Sequence, residues 1–292
     1  MKMQLAHKKK FTISYFTKKR IGNVVYNIFM MFLCLVIVYP IFWTFCSAFK
    51  TNYQIFHEAP VNLIPRPFTL ENFQELAKIY NISRMVFNGL YLAIVIPFLS
   101  MLVSSMAAYA LARLRFKGSN IVFLLLISTM MIPSYVTLIP NFAIMVRLGL
   151  LNSHWALILR SALAGSATAI FLFRQYFLSI PRDLENAAII DGCSWAGVFF
   201  RIILPNSKPI LASVAILTFR GTWNAYLWPS LIIQEERLWT WTLGLKLLSE
   251  WETRQSVLMA GSVISILPIL IIYIIFQKYF VNSQIGSGFS GV

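Results

Sequence analysis

The chain has 292 residues, 58% of them hydrophobic and only 12% charged, with a formal net charge of +15. Soluble domains carry roughly 25% charged residues. Here the deficit is gathered into long apolar blocks, which excludes one large soluble core and points to a membrane domain. Cys34 and Cys46 share one apolar block, about 18 Å apart if helical at 1.5 Å per residue, and Cys193 stands alone, so no disulfide framework arises. His7, His57 and His154 are scattered without metal-ligand spacing.

Residues 1–23 form a basic arm. The apolar run that follows is longer than the core of a secretory signal, about 7–15 residues, and reads as a retained helix. Crossing the hydrocarbon layer takes about 20 apolar residues. Six stretches qualify, at about 24–46, 86–112, 121–146, 155–175, 210–233 and 257–277. Only helices satisfy their backbone in such single blocks. The expectation is an all-α polytopic membrane protein with six transmembrane helices over 24–277 and a short tail, 278–292.

The Lys and Arg count orients these blocks. With the N-terminus inside, the cytoplasmic pieces hold 15 basic residues and the outer pieces eight. Lys2, Lys8, Lys9, Lys10, Lys18, Lys19 and Arg20 come from the arm, then Arg113, Arg115, Lys117, Arg174, Arg182, Arg201, Lys208 and Lys278. Seven of the ten acidic residues, Glu58 among them, fall outside. Both termini are then cytoplasmic, and the positive charge is topological and not a nucleic-acid footprint.

Two outer segments are long. Residues 50–84 are rich in Pro and aromatics, and 234–256 carry Trp239, Trp241 and Trp251. These tryptophans suit an interfacial belt or a docking surface. Pro133 and Pro140 predict a kink in the third span. A charge at a span's centre costs about 2.5–3.5 kcal/mol. Arg160 stands near the outer end of the fourth span and reads as snorkelling to the interface; Arg220 stands nearer the middle of the fifth.

The loop 176–209 is too polar to span and too patterned to be featureless. Pro181 suits a first helical turn, and Asp183 and Glu185 favour a helix N-terminus. Gly192 suits a C-terminal cap. Ser194 suits the N-cap of a second short helix. That helix would carry an apolar stripe of Trp195, Val198, Phe199, Ile202 and Ile203, ended by Pro205 and Pro209. This predicts a helix–turn–helix at the cytoplasmic face, either an interfacial pair or a docking element.

At this loop the chain resembles a family. Glu185-Asn186-Ala187-Ala188-Ile189-Ile190-Asp191-Gly192, followed by Ile202-Ile203-Leu204-Pro205, is similar to the EAA motif of ATP-binding-cassette (ABC) importer permeases. Ala187, Ala188, Gly192, Ile202, Leu204 and Pro205 stand at the motif's spacing, whereas Asn186 occupies its Glu position, with Glu185 just before. Arg174-Gln175-Tyr176-Phe177, Ala108-Tyr109-Ala110-Leu111-Ala112-Arg113, Met131-Ile132-Pro133 and Trp223-Asn224-Ala225-Tyr226-Leu227-Trp228-Pro229 resemble the carbohydrate-uptake branch, and within it the smaller permease of maltose-type importers. Relatives often carry an acidic residue where Ala225 stands. The likeness covers all but the arm and the last few residues.

The resemblance implies a type I ABC importer permease fold, paired with a second permease subunit in membrane lipid. Two cytoplasmic ATPase subunits would bind ATP and Mg, an external substrate-binding protein would deliver the substrate, and this chain would hold no cofactor and act as no enzyme. It implies a coupling helix in which Glu185, Asn186, Ala187, Ala188, Asp191, Gly192, Ile202, Leu204 and Pro205 contact the ATPase. It also implies carbohydrate import, of an oligosaccharide by preference, through a bacterial cell membrane by alternating access. Arg220, Trp223, Asn224 and Leu227 fall on one helical face at i, i+3, i+4 and i+7. They are the candidate substrate pathway, or else a polar contact to the partner permease. The alternatives are an ABC permease for another solute class, a secondary transporter, which would need carboxylates inside the spans, and a membrane enzyme, for which no nucleophile or metal cluster is visible.

Three motifs carry little. Gly286-Ser287-Gly288-Phe289-Ser290-Gly291 matches G-x-G-x-x-G without the strand and helix that a dinucleotide site needs. No phosphate-loop G-x-x-x-x-G-K-[ST] occurs. Asn81-Ile82-Ser83 is a chance glycosylation sequon.

Overall fold

The computed structural model describes residues 2–57, 63–114, 116–162 and 166–288, with side chains from 22 to 277. Glu58, Arg115, the basic side chains of the arm and the end of the 286–291 motif lie outside the described residues. The described residues contain no strand. The helices are α1 Lys2–Ser47, α2 Asn52–His57, α3 Glu71–Ile79, α4 Ile82–Arg113, α5 Ser119–Ser128, α6 Leu138–Arg147, α7 His154–Ala162, α8 Ala167–Ser179, α9 Asp183–Ile190, α10 Trp195–Val198, α11 Leu204–Asn206, α12 Lys208–Trp223, α13 Leu227–Ile232, α14 Trp241–Trp251 and α15 Gln255–Gly288.

Three of the six predicted spans are single helices of spanning length and hydropathy: Gly22–Ser47, Ile82–Arg113 and Gln255–Gln277. The other three blocks are each divided between shorter helices. The third block divides into α5, a 3-10 turn at Thr129–Met131, and α6. Ile132 is extended (φ −82°, ψ 116°), as the residue before a proline is forced to be, so Pro133 breaks the span where a kink was predicted. Pro140 lies in the first turn of α6, where a missing N–H costs nothing. The fourth block divides into α7 and α8, and α8 is capped by Ser166, whose side chain accepts from the Ala169 N–H at 3.3 Å. The fifth ends with α12 at Asn224, whose N–H reaches the Arg220 carbonyl at 3.1 Å, and restarts as α13.

The chain divides into two compact units, Met1–Gln74 with Arg254–Val263, and Glu75–Thr253 with Ile264–Val292. In the first, the Phe49 ring stacks on Phe68 (4.9 Å between centroids) and meets Phe73 (5.3 Å). Asn72 Nδ2 donates to the Ala48 and Lys50 carbonyls at 2.8 and 2.7 Å. Thr51 and Gln54 form a reciprocal capping box that starts α2. The apolar side chains of α1 from Val24 to Ile41 are almost all exposed, the pattern of a helix solvated by lipid.

In the second unit α4 is the central helix, packed against α7, α8, α12 and α14. Ser100, Ser104, Ser105 and Ala108 on α4 are buried, and such small residues let membrane helices approach closely. One apolar cluster gathers Ala108, Tyr109, Phe173, Phe177, Phe199 and Ile203 around one end of α4. A second gathers Leu92, Ile96, Leu157, Trp228, Ile232 and Leu243 around the other. The tryptophans of 234–256 do not form a common belt. Trp241 is fully buried and donates from Nε1 to Ser265 Oγ at 2.8 Å, Trp239 is half-buried, and only Trp251 is exposed.

Candidate functional site

The loop that carries the EAA resemblance folds as a short helix, a left-handed turn and a bent second helix. Asp183 and Glu185 occupy the first turn of α9 as expected, although the helix begins after Pro181 with Arg182 as its N-cap. Gly192 ends it at φ +84°, a conformation that glycine adopts without a Cβ penalty. The Gly192 N–H reaches Ile189 O (3.0 Å) and the Cys193 N–H reaches Ala188 O (2.9 Å), which satisfies the last carbonyls of α9. Ser194 then caps α10, accepting from the Gly197 N–H at 3.2 Å. A π-helical turn over Phe199–Ile203 joins α10 to α11. Pro205 lies inside that continuation and does not end it; the chain turns by 80° into α12, with Pro209 in its first turn.

Beyond Trp195 the apolar stripe does not face outward. Val198, Phe199 and Ile203 are buried against Tyr109, Phe173 and Phe177, and Ile202 and Leu204 are partly buried on the same cluster. They moor the loop to its own bundle, because these residues cover the apolar end of α4 and α8. The outward surface comes from Trp195, the one exposed member of the stripe, and from residues outside it: Leu184, Ile189 and Phe200 are exposed, and Ile190 is 86% exposed. Asn186, Ala187, Asp191, Gly192 and Pro205 are exposed beside them.

Glu185 does not share this surface. It is buried, with Oε1 2.9 Å from Nε of Arg113 at the end of α4. Arg113 also donates to the carbonyls of Ile180 (2.6 Å) and Phe177. Burial pushes the Glu185 carboxyl above the usual carboxylate range, against the pull of Arg113 and Arg182. A groove of about 610 Å³ opens next to this pair, lined by Leu114, Phe116, Arg182, Asn186, Ile189 and Trp195 as well. Arg113 was legible as a cytoplasmic positive charge and as the end of a family-like run, but not as buried; its burial depends on the loop folding back over α4.

The four pathway residues are not brought together on one surface. Trp223 is fully buried, whereas Arg220, Asn224 and Leu227 are exposed. The helix ends at Asn224, so Leu227 does not continue the face that spacing implied. The opposite side of α12 is the concave one. Thr218, Gly221 and Thr222, with Ala225 beyond, line a cavity of about 320 Å³ with residues of α4, α7 and α13. Arg160 reaches this cavity: its guanidinium lies 4.4 Å from the Trp228 ring centroid, a cation–π arrangement. Spacing on α12 alone could not reveal this site, because its cation comes from α7 and its aromatic wall from α13.

Residues 100–285 match the family described as binding-protein-dependent transport system inner membrane component. The chain is 38% identical over 264 residues to the arabinooligosaccharides transport system permease protein AraQ of Halalkalibacterium halodurans, across 89% of this chain and 94% of that protein. It is 34% identical over 262 residues to the sn-glycerol-3-phosphate transport system permease protein UgpE of Yersinia pestis, across 87% and 92%. Its fold is similar to a chain in the crystal structure of a bacterial ABC transporter involved in import of the acidic polysaccharide alginate, with TM-score 0.79, 25% identity, and 89% of this chain and 97% of that one covered. A helical fold, a moored loop bearing the EAA spacing and this family match converge: the chain belongs to the binding-protein-dependent transport system inner membrane components, the permease subunits of ABC importers.

Proposed function

We propose that the chain forms half of the translocation pathway of an ATP-driven carbohydrate importer in a bacterial cell membrane. The work is transport; ATP and Mg are held by partner ATPase subunits. A second permease completes the pathway, and an external binding protein delivers an oligosaccharide or related polyol. The names of the relatives support a carbohydrate, and the basic residues of the loop at 176–209 support its cytoplasmic placement, with both termini on the same side. Exposed Arg220, Asn224 and Leu227 are available to the second permease.

The observation that carries the coupling role is the exposed apolar tip of α9. Ile190, next to Ala187 and Gly192, has little to pack on within its own chain, and exposed apolar groups rimmed by polar ones mark contact surfaces. In this reading Ile190 inserts into the ATPase, small Ala187 permits close approach, and Asn186 makes an uncharged contact where relatives use a carboxylate. Glu185 serves the fold and not the contact. Because the loop is moored by Val198, Phe199 and Ile203, closure of the ATPases is passed to α4, α8 and α12 as rigid-body motion, which alternates access to the pathway.

Ile190→Glu tests this. As a surface change it is expected to alter fold stability by no more than about 0.5 kcal/mol. As a loss at the centre of an interface it is expected to weaken ATPase association by about 2 kcal/mol, roughly 30-fold. Co-purification of the ATPase and ATP-dependent uptake both report it. Full retention of the ATPase by a well-folded Ile190→Glu protein would sink the coupling role of α9.

A further inference from the structure

The cavity between α4, α7, α12 and α13 has an electrostatic character that the transport role alone does not require. Arg160 is its cation. Among the described residues no carboxylate pairs with that guanidinium. It is held instead against the face of buried Trp228, 4.4 Å from the ring centroid. An ionisable side chain within the membrane domain is expensive and faces a partner or a pathway, and here the partner within the chain is an aromatic face, which leaves its charge uncancelled. Around it the hydroxyls of Ser100, Ser161 and Thr222 make no hydrogen bond within the chain among the described residues. At about 320 Å³ the cavity lies within the size range of small-ligand pockets.

We propose that this cavity is a station for an acidic sugar unit, with Arg160 pairing to its carboxylate or phosphate and Ser100, Ser161 and Thr222 bonding its hydroxyls. The proposal rests on the carbohydrate reading above and narrows it to anionic substrates. Trp228 fixes the guanidinium so that little side-chain freedom is lost when the acid arrives. A planar guanidinium meets carboxylate or phosphate with two parallel hydrogen bonds, which a lysine would not reproduce. Ala225 lines the same cavity with a methyl group, so a carboxylate introduced there would compete with the substrate for Arg160.

The test uses the complete importer, with its partner permease, ATPases and binding protein, in proteoliposomes. Labelled uronate disaccharide, a sugar phosphate and a neutral disaccharide are the probes, read as ATP-dependent uptake. The wild type is expected to import one or both acidic probes. R160Q and A225D are each expected to cut that uptake at least tenfold while leaving ATPase association unchanged, with R160K intermediate. The acidic probe that responds identifies carboxylate or phosphate as the recognised group. Import of the neutral disaccharide alone, an equal effect of R160Q on acidic and neutral probes, or full acidic uptake by R160Q would overturn the anion site and leave the carbohydrate reading standing. If no saccharide is imported under ATP, the carbohydrate reading falls and takes the site with it.

Discussion

Arg113→Ala is expected to destabilise the chain by about 3–5 kcal/mol, the usual cost of removing one partner from a buried ion pair. Arg113 and Glu185 side chains are 2% and 6% exposed, 2.9 Å apart. Losing the guanidinium strands the Glu185 carboxylate and also the carbonyls of Phe177 and Ile180 that it holds. The double variant Arg113→Met with Glu185→Leu removes both charges together. It is expected to recover most of the loss, leaving about 1–3 kcal/mol for the orphaned carbonyls. Arg113→Lys should not rescue, because one ammonium cannot serve a carboxylate and two carbonyls in a planar fork. Thermal melting of the detergent-solubilised protein, followed by circular dichroism, gives the comparison. If Arg113→Ala melts with the wild type, or the double variant is worse than the single, the pair is not what fixes the loop to α4.

Trp223→Ala should be as damaging, at about 3–5 kcal/mol. The indole is 1% exposed and lies so close to α4 that a Cβ added at Gly89 would sit 2.9 Å from its Cζ3. Its Nε1 donates to the Ser265 carbonyl at 2.9 Å, and its own carbonyl accepts from Thr242 Oγ1. The indole thus ties α12 to α4 and to the Ser265 turn of α15, and the backbone carbonyl of the same residue adds α14. Gly89→Ala alone should cost about 1–3 kcal/mol by overpacking. In a Trp223→Ala background that cost should vanish, since the methyl then has room. Additive losses in that double variant would mean that Gly89 and Trp223 are not in direct contact. Because Trp223 supports the bundle, a transport defect in Trp223→Ala would not identify a substrate contact.

These residues show where sequence reasoning reached and where it stopped. The apolar blocks predicted an all-helical membrane domain. Gly192 and Ser194 announced the turn and the cap of the loop, because each acts within a few residues of itself. Breaks within the third and fifth blocks were partly legible: Pro133 interrupts the former through its effect on Ile132, and in the latter Pro229, whose ring opposes a helical carbonyl at Ala225, follows the end of α12 at Asn224 by one turn. The loop's apolar stripe and the candidate face on α12 are each divided between inside and outside for one reason. Periodicity tells which residues share a side of a helix but not which side meets the bundle: Phe199 and Ile203 pack onto the Tyr109 cluster and Trp223 against Gly89, while Trp195, Arg220 and Asn224 stay exposed.

The sequence by itself determined the class: hydropathy is a local sum, and the EAA spacing is a local pattern, so neither needs a neighbour to be read. The charged residues were decided only by tertiary structure. Neither Arg113 nor Arg160 shows its partner in the sequence: one lies locked to a carboxylate 72 positions away by number and the other rests on an indole 68 positions away. A charge's cost or use depends on the field and solvent around it, and that environment is assembled from α4 with α9 in one case and α7 with α13 in the other.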